Sequence, residues 1–232
     1  MVKKVLTLTL VLVMVMGLCT TAFAAETDEN IGRVTNMTMD EVVAYLENRG
    51  STIDEAFVDL CIAIINLKDD GMTNADILFQ VASAPTTYSL YDTWGKLTDS
   101  EKLLVVTYPK EAVVIQSNAT TASSSTKSIY GANGNGDESD AYRHGYWNAL
   151  NARDVGKTVA EAFATAHEDI SDKELQKISN GFYGWQHRSM DLHNNEVGRG
   201  VVSWTDIFTS DGTLSSRIRE QIKKGNMVIL VK

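Results

Sequence analysis

The stretch DAYRHGYWNALNARDV (140–155) holds the first histidine of a 232-residue chain. Asp140, His144, Trp147 or Asn148, and Asn151 recur at intervals of three and four, the spacing that lines one face of an α-helix. Ala141, Leu150 and Val155 add apolar surface. The spacing predicts a helix over 139–155 that sets a carboxylate, an imidazole and amides beside a large aromatic ring. The three other histidines are His167, His187 and His193, so all the imidazoles fall in one late window.

Outward from this helix the pattern stays helical. Proline occurs only at 85 and 109. Capping signals recur where Thr38 precedes Glu41, Thr52 Glu55, Thr73 Asp76, Thr98 Glu101 and Ser171 Glu174. Apolar residues follow each at helical intervals, as Leu60, Ile64 and Leu67 do. Helices are expected near 39–49, 54–68, 74–83, 99–108 and 110–122. Further helices are expected at 139–155, 157–169, 172–182, 188–202 and 213–224, with Gly225 stopping the last. TTASSSTKS (120–128) reads as a Ser/Thr linker and GANGNGDES (131–139) as a loop. MVILVK (227–232) reads as a short strand or an extended tail. The fold class is therefore all-α: a bundle-like C-terminal domain over 96–226, with a loop at 120–138, preceded by a smaller helical region over 36–95. The four tryptophans, Trp94, Trp147, Trp185 and Trp204, are expected in the core, with Trp147 able to serve as a ligand platform as well.

Lys3 and Lys4, the apolar run 5–18 and AFA at 22–24 have the layout of a secretory signal peptide cleaved after Ala24. The bulky Leu18 argues against lipidation of Cys19. Residues 25–35 would then be a disordered tail, and the protein would be secreted or associated with the cell envelope, with no stable membrane anchor. Only Cys61 remains, which excludes an internal disulfide. Of 21 basic and 30 acidic residues, losing Lys3 and Lys4 leaves a formal charge of −11. That charge argues against nucleic acid as a partner and against simple attraction to anionic membranes or wall polymers, unless cations bridge them. The export signals point to an extracellular or envelope substrate.

His144, His167, Glu168, Asp191 and His193 can converge from three helices. Imidazoles and carboxylates are ligands for zinc or, through oxygen, calcium. The same groups serve as a base with an orienting partner. His144, His167 and Asp191 are the catalytic candidates. Arg143, Asn148, Asn194, Asn195 and Arg199 are candidates for holding a substrate. Export without cofactor delivery favours simple hydrolysis of a phosphoester, lipid ester or cell-wall amide. The competing reading is a non-catalytic interaction module whose polar residues form a satisfied network between helices. His187, beside Arg188 at a helix start, is expected to be exposed and idle.

Several signatures are absent. HEDIS has Ser171 where a zinc protease needs its second histidine. The 133–144 segment has Glu138 and His144 where a calcium loop needs Gly and Glu. No Gly-x-Ser-x-Gly elbow exists, and Cys61 has no neighbouring histidine.

DAYRHGYWNALNAR, FATAHE and MDLHNNEVGR occur in this order. Together with the lead-in 97–119 they resemble a bacterial exported-protein domain family of unknown function, over about 97–202. Its pattern is Arg-His-x-Tyr-Trp-Asn-Ala, Ala-His-Glu and Met-Asp-Leu-His-Asn-Asn-x-x-Gly-Arg. The resemblance implies a helical domain and no settled activity. More loosely, YRHGYWN is similar to the Arg-His segment of small secreted phospholipases A2, which implies calcium-assisted lipid hydrolysis. Gly145 stands where those enzymes carry Asp, so the calcium role would pass to Asp140, Asp191 or the 131–138 loop.

Export in a bacterial host is expected to yield a mature chain beginning at Ala25. N-terminal sequencing of the exported product checks this, and retention of residues 1–24 opposes it.

Overall fold

The computed structural model describes residues 31–83 and 94–231. The signal-peptide, Ala24 and Cys19 expectations fall on 1–30, outside the described residues, as do residues 84–93. The fold is all-α, with one two-stranded hairpin among the described residues. Among the described residues the order begins with α1 (Met39–Asn48), α2 (Glu55–Asp69), α3 (Asn74–Ser83), α4 (Asp99–Thr107) and α5 (Pro109–Tyr130). Then come α6 (Glu138–Val155), α7 (Lys157–His167), α8 (Asp172–Leu175) and the hairpin β1 (Ile178–Ser179) and β2 (Phe182–Tyr183). α9 (Gly184–Gly200), a 3-10 turn (Trp204–Phe208) and α10 (Asp211–Lys223) complete the order. None of the described helices is long and apolar enough to cross a membrane.

α6 is the hub. From Ser139 to Val155 every residue except Arg143 is buried. α5, α7, α9 and α10 all pack on it. The closest approach is to α9, where a Cβ on Gly198 would collide with the Gly145 carbonyl oxygen and lie 2.8 Å from Gly145 Cα. A side chain at Gly145 would lie 2.6 Å from Met227 Cε. The glycine that departs from the phospholipase pattern thus leaves room for the Met227 side chain, and Gly198 is the one that permits the backbone crossing.

Buried polar groups on α6 need partners, and its C-terminal end has them. Asp154 accepts from Arg153, Arg49, Tyr45 and Asn118. Arg153 also pairs with Asp211 at 2.6 Å. The chain N-terminal to α1 joins in: the Arg33 and Val34 amides donate to the Arg153 and Asp154 carbonyls, and Val34 is fully buried. Residues 32–34 are therefore packed structure, where a loose tail was expected over 25–35. The core is continuous from Val42 and Cys61 through Val113 to Leu150 and Ile218.

Thr38 and Thr98 form the expected capping boxes. α2 is capped instead by Asp54, whose carboxylate accepts the Phe57 amide. The Ser/Thr linker expected over 120–128 is helix, because its hydroxyls bond inside the protein. Thr120, Thr121 and Thr126 donate to the carbonyls of Gln116, Ser117 and Ala122, and Ser125 meets the Tyr142 hydroxyl at 2.8 Å. Gly131, at φ 80°, ends α5. The helix expected over 172–182 stops after one turn, and the chain reverses through Asn180 and Gly181, both at positive φ. Asn-Gly is the residue pair that two-residue hairpins favour. Trp94 and Trp147 are in the core as expected, whereas Trp185 and Trp204 are exposed.

The segment after α10 is extended and docked. Asn194 clasps it in two directions, donating to the Val228 carbonyl and accepting its amide, each at 2.9 Å. The Leu230 and Val231 amides both donate to the Gly136 carbonyl at 2.8 Å.

Gly198→Ala is expected to push α9 off α6 and destabilise the protein by about 1–3 kcal/mol. Gly212→Ala, where a Cβ meets nothing within 4 Å, is the control. Thermal melting compares them, and equal midpoints would refute the close-packing account.

Candidate functional site

The N-terminal half of α6 presents a second buried polar cluster, and this one is incompletely paired. His144 Nε2 lies 3.5 Å from Asp140 Oδ1, one turn back on α6, and 3.4 Å from Asp191 Oδ1 on α9. Its Nδ1 lies 3.3 Å from Asn195 Oδ1 and 3.7 Å from Glu168 Oε1. One oxygen or nitrogen from each of Asp140, His144 and Asp191 falls within 4.8 Å of the others. Arg143 pairs with Asp140 and also donates to the Gly134 carbonyl.

Three acids around one imidazole crowd negative charge in a dry place. Burial pushes the Asp191 carboxyl up to about 8, helped by Glu168 and Asp140. Burial also raises Glu168 and Asp140, the latter against the pull of Arg143. The His144 imidazole is driven down to about 3, first by burial and then by Arg143 and His167. Asp191 Oδ1 and Glu168 Oε1 are buried without a hydrogen-bond partner. Such atoms are uncommon in native proteins and call for an explanation.

The amides of the site form a chain behind the imidazole. Arg199 donates to Asn148 Oδ1, and Asn148 donates to Asn195 Oδ1 at 2.7 Å and to the His144 carbonyl. Asn195 Oδ1 thereby faces His144 Nδ1 as an acceptor. In the tautomer with hydrogen on Nδ1 the imidazole donates to Asn195, and its Nε2 faces the Arg143 guanidinium, Asp140 and Asp191. Asn148, Asn195 and Arg199 therefore position His144, and Asn194 holds the tail.

His167 stands at the edge of the site, its side chain half-exposed. Its Nδ1 meets Glu101 Oε1 at 2.9 Å, and its ring packs edge-on against Trp147. His193 is exposed and bonds the Asn226 carbonyl. The structure therefore brings together His144, Asp191 and Glu168, sets His167 beside them, and turns His193 toward the C-terminal segment. His187 corrects an expectation. It is buried, its Nε2 meets the Ser179 carbonyl at 3.0 Å, and its Nδ1 has no partner. Its fourfold spacing from Asp191 was the available signal. Glu101 was visible only as a capping residue, yet it serves both Thr98 and His167.

Two cavities meet at His144 and His167. One, of about 240 Å³, has an apolar lining. The other is an open polar cleft bordered by Glu168, Lys177, His187, Arg188 and Asp191.

The hydrogen bond that His167 donates to the Glu101 carboxylate raises the His167 pKa. Burial acts to raise Glu101, but His167 and Thr98 outweigh it and hold Glu101 low. His167 then contributes stability below its unfolded value near 6.5, lost as pH rises through its folded value. Glu101 contributes above about 4.3, lost as pH falls. The pair is expected to help most between about pH 4.3 and 6.5, by no more than ~1 kcal/mol at a half-exposed site. In Glu101→Gln the His167 titration, followed by NMR of the ring protons, is expected to drop toward 6.5. An unmoved midpoint would refute the coupling.

No curated protein and no solved structure matches this chain. A family model described as Domain of unknown function (DUF6973) matches residues 102–226, from within α4 to just beyond α10. The matched span contains Asp140, His144, Glu168 and Asp191, and it is more than half of the chain. The chain therefore belongs to this family of domains of unknown function.

Proposed function

We propose that this protein is a hydrolase in which Asp140, His144 and Asp191 hold a divalent cation at the floor of the polar cleft. One observation carries the reading: a buried, incompletely paired cluster of two carboxylates and an imidazole whose donor atoms lie at ligand spacing. Tetrahedral zinc, about 2.1 Å from its ligands, holds them about 3.4 Å apart. The His144 distances of 3.4 and 3.5 Å fit that spacing. Calcium would need six to eight oxygens, more than Asp140, Asp191 and Glu168 readily supply. Two ionised carboxylates and a neutral imidazole suit zinc better, and the cation would offset the crowded charge.

Such an ion supplies polarisation of a carbonyl or phosphoryl oxygen and acidifies water. The chain's residues do the rest. Asn195 orients His144. Glu168 Oε1, buried and without a hydrogen bond, is placed to accept a proton from water in the cleft. Arg143 neutralises Asp140 while the cation is absent. Once a cation takes over that task, its guanidinium can meet an anionic group of the substrate. His167, kept protonated more readily by Glu101, can donate a proton to a leaving group.

The pairing of Arg143 with Asp140 favours a second reading, in which the cluster is a structural network of an interaction module. A zinc titration by calorimetry on metal-free protein separates the two. The hydrolase reading expects one site. Asp140→Asn and Asp191→Asn should each weaken it at least tenfold while melting near the native temperature. Zinc-dependent hydrolysis of a fluorogenic ester, amide or phosphoester panel should fall at least a hundredfold in the same variants. No zinc binding and an inert panel would overturn the reading.

A further inference from the structure

The cavity beside His144 carries information about the substrate. Phe57, Leu97, Val105, Ile115 and Phe163 line it, from α2, α4, α5, α7 and the segment before α4. Its charged and imidazole side chains are Arg143, His144, His167 and Glu101, with His144 beside Arg143 and His167 beside Glu101, while Gln116 on the lining turns its amide to Asp54. On the far side of His144 and His167 lies the polar cleft. The imidazole at the centre of the proposed chemistry therefore sits on a border between an apolar chamber and a charged one.

A sealed apolar void of this size would cost stability for no return. This chamber is not sealed in that sense, since Ala119 on its lining is exposed. Its shape and chemistry suit a ligand with a flexible apolar tail and one polar end. We propose that the substrate is a carboxylic ester with a linear aliphatic acyl chain. The chain fills the apolar cavity, the acyl carbon lies at His144, and the alcohol part lies in the polar cleft. This inference rests on the hydrolase reading for its chemistry and on the cavity for its chain. Water adds to the acyl carbon, the bond from that carbon to the alcohol oxygen breaks, and the alcohol leaves with a proton. The products are a fatty acid and an alcohol, with no oxidant or reductant required. Arg143 and His167, at the cavity's polar end, face the carboxylate so formed. If a methylene takes about the ~30 Å³ of a liquid water, the cavity accommodates a chain of about eight carbons.

The test separates the chain from the chemistry. Octanoate binding to the full chain is measured by calorimetry. Hydrolysis is measured on p-nitrophenyl esters from acetate to tetradecanoate, with zinc present. The expected result is octanoate binding, also retained in Asp191→Asn. The kcat/KM is expected to rise about fourfold per methylene and then level off near eight carbons. Ala112→Phe narrows the cavity from inside, and Ala119→Trp blocks its exposed lip without disturbing the core. Each should weaken octanoate binding, and lower the octanoate-to-acetate ratio of kcat/KM, at least tenfold. Octanoate binding without turnover of any ester would remove the hydrolase reading and leave the acyl site standing. Absence of octanoate binding, or hydrolysis with a flat chain-length profile unaltered by Ala119→Trp, would overturn this inference.

Discussion

A helix enclosed on nearly every side must find a partner for each polar group it buries, and α6 buries many. Asp140, His144, Asn148, Asn151, Arg153 and Asp154 are all buried. An ion or amide in that position costs several kcal/mol unless its charge and hydrogen bonds are matched. The two ends of α6 meet this demand differently. Around Asp154, two guanidiniums, a phenol and an amide satisfy the carboxylate, whose pKa falls despite complete burial. Around Asp140 and His144, carboxylates outnumber cations and buried oxygens are left over. One end holds helices and the N-terminal segment together. The other has capacity to spare, and spare capacity in a dry place is where ligands and chemistry are found.

The spare end is held to close tolerance by parts that do not enter the chemistry. The backbone crossing at Gly145 and Gly198 sets the separation of α6 from α9, and hence that of His144 from Asp191. The Arg199–Asn148–Asn195 chain holds the amide oxygen that meets the imidazole Nδ1. Asn194, one residue before Asn195, faces the other way and clasps Val228. Two adjacent asparagines thus serve two surfaces of one helix.

Much of this was legible in the sequence, and the failures have physical causes. Apolar and polar spacing gave the helical character and the boundaries of α6 within a residue. The helical stripes pointed to His144, His167, Glu168, Asp191 and His193 as neighbours, and of these His144, Glu168 and Asp191 meet. Composition failed over 120–128, where hydroxyls read as loop formers bond carbonyls of their own helix. The Asn180–Gly181 hairpin carried a local signal that a helical reading of 172–182 passed over. His193 and His187 exchanged environments because helical spacing fixes direction around an axis but not which side meets a neighbour. That choice belongs to packing, and packing depends on residues far away in the chain. Glu101, sixty-six positions from His167, had no local mark of its second task.

α5 leads to a last consequence. It carries Ile115, whose carbonyl accepts the Trp147 indole, and Asn118, which reaches Asn151 and Asp154. The same helix sends Ser117 back to the Thr52 carbonyl and lines the apolar cavity with Ala112. A segment that looks like a joint between two modules is their shared beam. Heat or denaturant should therefore find no seam along which the histidine-bearing part could outlast the first helices. The chain would melt in one concerted step, and the chamber and the imidazole would vanish at the same moment.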